Sequence, residues 1–143
     1  MRFRELTLRR DPDRPPIDRL IDYSQFCRPA APAMDSISVT DLKVLLDSDR
    51  SDVVLIDVRN PAESEVAAIA GAILIPLATI KTGEAIERIR GLAGEGTLYI
   101  HCKLGGRSAQ AVELLAEQGI SATNVAGGID AWSQQVDADV ARY

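Results

Sequence analysis

The sequence predicts an α/β fold in which a doubly wound, mainly parallel sheet is flanked by helices. Three observations predict it. Short aliphatic runs alternate with stretches of helical spacing, at intervals that allow right-handed crossovers. One run, Val53-Val54-Leu55-Ile56-Asp57-Val58, is almost continuously apolar, as a central parallel strand buried on both faces must be. A second, Thr97-Leu98-Tyr99-Ile100, leads into a glycine-bearing loop and then a helix, the arrangement that places ligand sites at the carboxyl edge of an open sheet.

Taken in order, residues 1–33 read as an arm with its linker. Phe3 to Arg9 suits a strand, and Ile17, Leu20 and Ile21 give one apolar side to a short helix ending near Phe26. Pro12, Pro15 and Pro16 separate the two, and Pro29-Ala30-Ala31-Pro32-Ala33 forms a linker. The globular part is expected over 36–136, with 137–143 as a tail. Ile37 to Val39 is a short strand, and Thr40 caps a helix that buries Leu42, Leu45 and Leu46. After the Val53–Val58 strand, Asn60-Pro61-Ala62-Glu63 combines a cap, a proline at the first helical position and a glutamate at the third. Ala72 to Ile75 is the next strand, closed by Pro76. Ile86, Ile89 and Leu92 mark a helix ending in turns at Gly91, Gly94 and Gly96. Ala109, Val112, Leu115 and Ala116 mark the helix after the cysteine loop, and Gly119 closes it. Thr123 to Val125 is the last strand. Gly127-Gly128-Ile129-Asp130-Ala131-Trp132 opens a terminal helix, with Trp132 packed on the core.

Composition bounds the function. A chain of 143 residues suits one domain with a full core plus an extension. The net charge of −5 is uneven: residues 1–28 hold seven arginines against five acids, and the rest holds nine basic and sixteen acidic residues. That asymmetry points to two origins, and the acidic body argues against nucleic acid as a partner. No apolar run approaches the ~18 residues of a membrane span, and the arginine-rich N-terminus lacks the apolar stretch of a signal peptide. The two cysteines lie far apart, without metal-type spacing or a disulfide framework. The expectation is a soluble, cytoplasmic protein with no membrane partner, metal or cofactor.

The chemistry concentrates in His101-Cys102-Lys103-Leu104-Gly105-Gly106-Arg107-Ser108. Gly105-Gly106 permits positive φ, so that consecutive amides turn inward as an anion-binding nest. The following helix adds free N–H groups and its positive dipole end, with Ser108 as a cap or first-turn residue. Lys103 and Arg107 add two charges. A free cysteine has a pKa near ~8.5, and such surroundings lower it, so the loop makes an anionic sulfur and holds an anion.

This loop resembles the active-site loop of the rhodanese superfamily, in which a cysteine carries a persulfide sulfur. Four residues separate Cys102 from Arg107. Related cysteine-dependent phosphatases have five there, a wider ring for a tetrahedral phosphate, since each residue adds up to ~3.5 Å of contour. The similarity runs from about Ser36 to Val136 through three signatures: Ile56-Asp57-Val58-Arg59, the cysteine loop, and Gly127-Gly128-Ile129-Asp130-Ala131-Trp132. Where many relatives have H-I-P-G-A, this chain has Ala68-Ile69-Ala70-Gly71-Ala72.

The arm is similar to the end of an E1-like adenylyltransferase domain. Such an end precedes the sulfurtransferase domain in fused molybdopterin- and thiamine-type adenylyltransferase/sulfurtransferase proteins. Asp13-Arg14-Pro15-Pro16-Ile17 replaces the zinc-binding C-x-x-C of many relatives, and no G-x-G-x-x-G occurs. The chain is thus expected to be a fragment, or a short protein that keeps only the tail of its parent.

These resemblances imply a sulfurtransferase with Cys102 as the catalytic residue. Lys103, Leu104, Gly105, Gly106, Arg107 and Ser108 would bind the substrate, with Asp57 and Arg59 in support. Asp57 either hydrogen-bonds nearby loops or pairs with Arg59, as a purely structural ion pair also would. His101, turned away from Cys102 by strand alternation, is expected to be structural, as is Cys27. The donor implied is thiosulfate or a desulfurase persulfide, and the acceptor a ubiquitin-like sulfur-carrier protein activated by a separate adenylating enzyme. A non-catalytic docking module and a persulfide or redox sensor are the alternative readings.

Overall fold

The computed structural model describes residues 34–48 and 52–143. The strand, helix and linker expected within residues 1–33, and Cys27 with them, lie outside the described residues. Among the described residues eleven elements follow in chain order: β1 (Ser36–Ile37), α1 (Val39–Asp47), β2 (Val53–Asp57), α2 (Pro61–Val66), β3 (Ile73–Leu74), α3 (Leu77–Lys81), α4 (Ile86–Glu95), β4 (Thr97–His101), α5 (Gly106–Glu117), β5 (Ala122–Val125) and α6 (Gly128–Gln135). The five strands form one sheet in the order β1-β5-β4-β2-β3, and every pairing is parallel. This is the α/β architecture that the alternation of strands and helices predicts.

Side chains alternate across the sheet and build a core on each face. On one face Ile56, Val58, Leu98 and Ile100 pack with Ile89 of α4 and Ala111, Val112 and Leu115 of α5. On the other, Leu55 packs with Val39 and Leu42 of α1 and Ile129 and Trp132 of α6. β4 is central, with β2 on one side and β5 on the other. The register pairs Asp57 with His101, so the chain leaves β2 and β4 at the same edge, and the residues following each strand meet there.

Local differences from expectation have local causes. The cap of α1 is Ser38, whose Oγ accepts from the Asp41 amide at 3.1 Å, and not Thr40. Val39 therefore belongs to the helix and is buried, whereas Leu45 and Leu46 are only half-buried. Pro76 closes β3 but also opens α3, a turn-length helix with Ile80 alone buried. α4 runs through Gly91 and Gly94 and ends at Gly96. A glycine inside a helix costs roughly 1 kcal/mol relative to alanine, and burial of Ile89 on the sheet offsets that cost.

Candidate active site

Cys102 is the first residue beyond β4, and its side chain returns to the face of Ile100 and Leu98. Only 1% of the residue is exposed. The loop folds back over it because Gly105 takes φ +98°, a left-handed conformation that costs glycine little, as the N-cap of α5. That turn directs the Gly105 amide at the sulfur, N to Sγ 3.1 Å. Gly106 is already helical and does not share the positive φ expected of it. Ser108, in the first turn, places its hydroxyl 3.4 Å from Sγ and 3.0 Å from the Gly105 carbonyl oxygen.

Burial pushes the Cys102 thiol up, because a charged sulfur loses its water. The Ser108 hydroxyl and the amides of Ser108, Gly105 and Leu104 outweigh that effect and hold the thiol below its ordinary range. The hydrogen-bond donors around the sulfur thus favour its anionic form.

The loop is fastened from behind by α6. The amides of Ile129 and Asp130 donate to the carbonyls of Cys102 and Lys103 at 2.9 and 3.1 Å. This approach requires Gly128, at φ +57°: a Cβ there would stand 2.3 Å from the Cys102 carbonyl oxygen and 2.6 Å from that of Lys103.

Two cations flank the mouth, and both have partners. Arg107 makes a two-pronged ion pair with Glu63 of α2, each nitrogen–oxygen distance being 2.7 Å. Glu63 also accepts from the Asn60 amide and from the Tyr143 hydroxyl, each at 3.1 Å. The Arg107 hydrogen bonds, helped by those from Asn60 and Tyr143 against the opposing effect of burial, pull the Glu63 carboxyl down to about 2. Lys103 donates to the Tyr143 carbonyl oxygen, with its ammonium 4.3 Å from the centre of that tyrosine ring. Leu104 stands two-thirds exposed at the loop tip, and no hydrogen bond to Sγ comes from its side chain.

Arg59 is fully buried beneath this mouth. Its Nε lies 2.9 Å from both Asp57 oxygens and its Nη2 2.5 Å from Oδ2, while Nη2 also donates to the Ala67 carbonyl at 2.7 Å. Its remaining nitrogen, Nη1, donates to the Tyr143 hydroxyl at 2.7 Å, so Tyr143 accepts from Arg59 and donates to Glu63. Both arrangements open to Asp57 occur: it pairs with the Arg59 side chain, and its Oδ1 accepts from the Arg59 amide in the following loop at 3.0 Å. His101 is buried on the opposite face from the sulfur, with Nε2 4.0 Å from Asp57 Oδ2. Burial pushes its imidazole below the ordinary range, favouring the neutral form, and its Nδ1 lies 3.4 Å from the Cys102 carbonyl oxygen.

The structure therefore gathers Cys102, Gly105 and Ser108 around the sulfur, and Lys103 and Arg107 at the mouth. Asp57 and Arg59 form a buried support below. Sequence reasoning missed Glu63 and Tyr143. Glu63 is recognisable as a capping residue, but its second role joins residues 44 positions apart. Tyr143 belongs to a stretch read as a tail.

A parallel sheet whose central strand ends at a hydrogen-bonded thiol beside a helix N-terminus defines a class of α/β folds with a cysteine loop at the sheet edge. Within it, residues 38–135 match the Rhodanese-like domain, and the chain belongs to that family. It is 39% identical over 150 residues to a Mycobacterium tuberculosis protein named probable adenylyltransferase/sulfurtransferase MoeZ, covering 100% of this chain and 37% of that protein. It is 33% identical over 157 residues to adenylyltransferase and sulfurtransferase MOCS3 of Bos taurus, covering 92% of this chain and 34% of that one. The chain thus spans about a third of the length of these relatives. Among solved structures, SSP1007 of Staphylococcus saprophyticus superposes with a TM-score of 0.62 at 38% identity, covering 76% of this chain and 100% of that one. A rhodanese-like domain protein of Staphylococcus aureus gives 0.60 at 37% identity, over 69% and 91% respectively.

Proposed function

We propose that this chain is a sulfurtransferase in which Cys102 carries a persulfide. The observation that supports this most is the pair of donors on Sγ, the Gly105 amide and the Ser108 hydroxyl, in a chain of the rhodanese-like family. In the reaction, the Cys102 thiolate attacks the outer sulfur of a donor such as thiosulfate or a desulfurase persulfide. A sulfur–sulfur bond forms at Sγ, the donor's own bond to that sulfur breaks, and sulfite or the donor thiolate leaves with the electron pair. No base is required once the thiolate exists, which agrees with the neutral His101 lying on the far face. Donors that lower the thiol also hold the negative terminal sulfur. Lys103, Leu104, Gly106 and Arg107 line the approach, while Asp57 and Arg59 brace it.

The acceptor is a ubiquitin-like sulfur-carrier protein, a reading supported by likeness to relatives named for both adenylyl and sulfur transfer. A carboxylate oxygen is a poor leaving group, so the carrier's C-terminus must be adenylated first. The described residues hold no nucleotide loop, and an adenylating activity must act on the carrier before Cys102 does.

Intact mass after treatment with thiosulfate tests the reading. Wild type should gain one sulfur atom, removable by reductant. Cys102→Ser should gain none, and Cys27→Ser should behave as wild type. Loading that survives Cys102→Ser overturns the assignment. A wild type that never loads but still captures a partner supports a docking module instead.

A further inference from the structure

The cations at the mouth raise a question of charge. A loop built to attract anionic donors would leave its arginine open, yet Arg107 is closed by a carboxylate on two nitrogens. The glutamate is itself held by the Asn60 amide and the Tyr143 hydroxyl, so the pair is fixed in place and not a chance surface contact. Both partners are largely shielded, with side-chain exposures of 35% for Arg107 and 21% for Glu63. Arg59 cannot substitute, being fully buried and paired with Asp57. Lys103 is engaged as well, by the main-chain oxygen and the ring of Tyr143. Arg107 stands in the first turn of α5 beside Ser108, whose hydroxyl lies 3.4 Å from Sγ; its guanidinium holds its proton more tightly chiefly because of the Glu63 hydrogen bonds, and additionally because of charge on Cys102.

We propose that Glu63 determines donor specificity, cancelling the charge of Arg107 so that the mouth prefers sulfur donors carrying one negative charge over dianions. The proposal rests on the sulfurtransferase reading above. A dianion entering the loop must either displace Glu63 from Arg107 or lie beside an uncompensated carboxylate, and each added negative charge on the donor makes that worse. Two donors with the same chemistry separate the charge from the reaction. Thiosulfate carries two negative charges and releases sulfite, and benzenethiosulfonate carries one and releases benzenesulfinate. In both, Sγ attacks the outer sulfur, the outer sulfur–sulfur bond breaks, and the leaving group departs with the electron pair.

The experiment measures kcat/KM for each donor, with cyanide as acceptor and thiocyanate as readout, in wild type, Glu63→Gln and Glu63→Asp. Glu63→Gln should shift the ratio of thiosulfate to benzenethiosulfonate about tenfold toward thiosulfate, as expected for uncovering the unit charge of Arg107. Its thiosulfate rate should also fall more steeply with added salt than that of wild type. Glu63→Asp, which keeps the charge, should retain a ratio close to wild type. A residue that merely shaped the loop would change both donors together and leave the ratio fixed, and that result overturns the proposal, as does a Glu63→Asp ratio equal to that of Glu63→Gln. The underlying reading fails separately: wild type that accepts sulfur from neither donor overturns sulfur transfer itself.

Discussion

Arg59 Nε lies 2.9 Å from each carboxylate oxygen of Asp57, and neither residue is more than 1% exposed. Both charges have left water, and each is tolerated only because the other is there. Asp57→Asn should therefore destabilise the fold by about 3–5 kcal/mol, since a buried guanidinium loses its countercharge. Pairing it with Arg59→Met should recover part of the loss, because no lone charge then remains. Urea unfolding of the single and double variants is the measurement, and a double variant worse than the single contradicts the account.

Gly128→Ala tests the fastening of the cysteine loop. A Cβ 2.3 Å from the Cys102 carbonyl oxygen must push the loop or the helix away, and φ +57° adds strain. A loss of about 2–4 kcal/mol is expected, with slower loading of Cys102. Gly106→Ala is the control. Nothing lies within 4 Å of a Cβ there, and the stability of that variant should stay within about 0.5 kcal/mol of wild type or better.

Ser108→Ala removes a donor from the sulfur. The Cys102 thiol should then titrate higher, toward an ordinary cysteine, because burial is opposed by fewer hydrogen bonds. Alkylation by a neutral reagent at about pH 7 should slow by roughly tenfold, the worth of one hydrogen bond to a charged group. The gap between the two rates should narrow as rising pH ionises both thiols. Equal rates at the lower pH would show that the hydroxyl does not act on the sulfur.

The ion pair at Glu63 carries a pH signature. Its carboxyl is held at about 2 in the folded chain, against an ordinary value of ~4.3. The folded state binds this proton less readily than the unfolded state. The stabilisation is therefore full above the ordinary value and disappears as pH falls through about 2. The stability difference between wild type and Glu63→Gln should be largest above pH ~4.5 and close on acidification. A difference constant across that window would mean that the carboxylate contributes packing and no charge.

The legible parts of this molecule are those in which neighbours in sequence decide the outcome. The apolar run through Leu55 and Ile56 could only be a buried strand, and the glycines of the cysteine loop announce a turn onto a helix. The placement of His101 away from Cys102 followed from alternation alone. What stayed hidden depends on competition or distance. Ser38 and Thr40 are both capping residues, and which one caps was decided by burial of Val39 against Trp132 and its neighbours. α3 is shorter than two turns and shows no period. Glu63 satisfies a local rule at its own helix, which conceals its pairing with Arg107. Tyr143 touches Arg59, 84 positions away, and no pattern in the intervening chain encodes that contact.

The amide that steadies the Cys102 carbonyl belongs to Ile129, and Gly127 packs against Gly105 from the same segment. During synthesis the cysteine is added 25 residues before Gly127 and 27 before Ile129. Until β5 and α6 join the sheet, the loop lacks the bonds that aim its amides, and the thiol has the reactivity of any cysteine in an open chain. Activation of the sulfur therefore coincides with completion of the fold. A chain stalled partway, or one damaged at its far end, meets oxidants and stray sulfur compounds with an ordinary thiol.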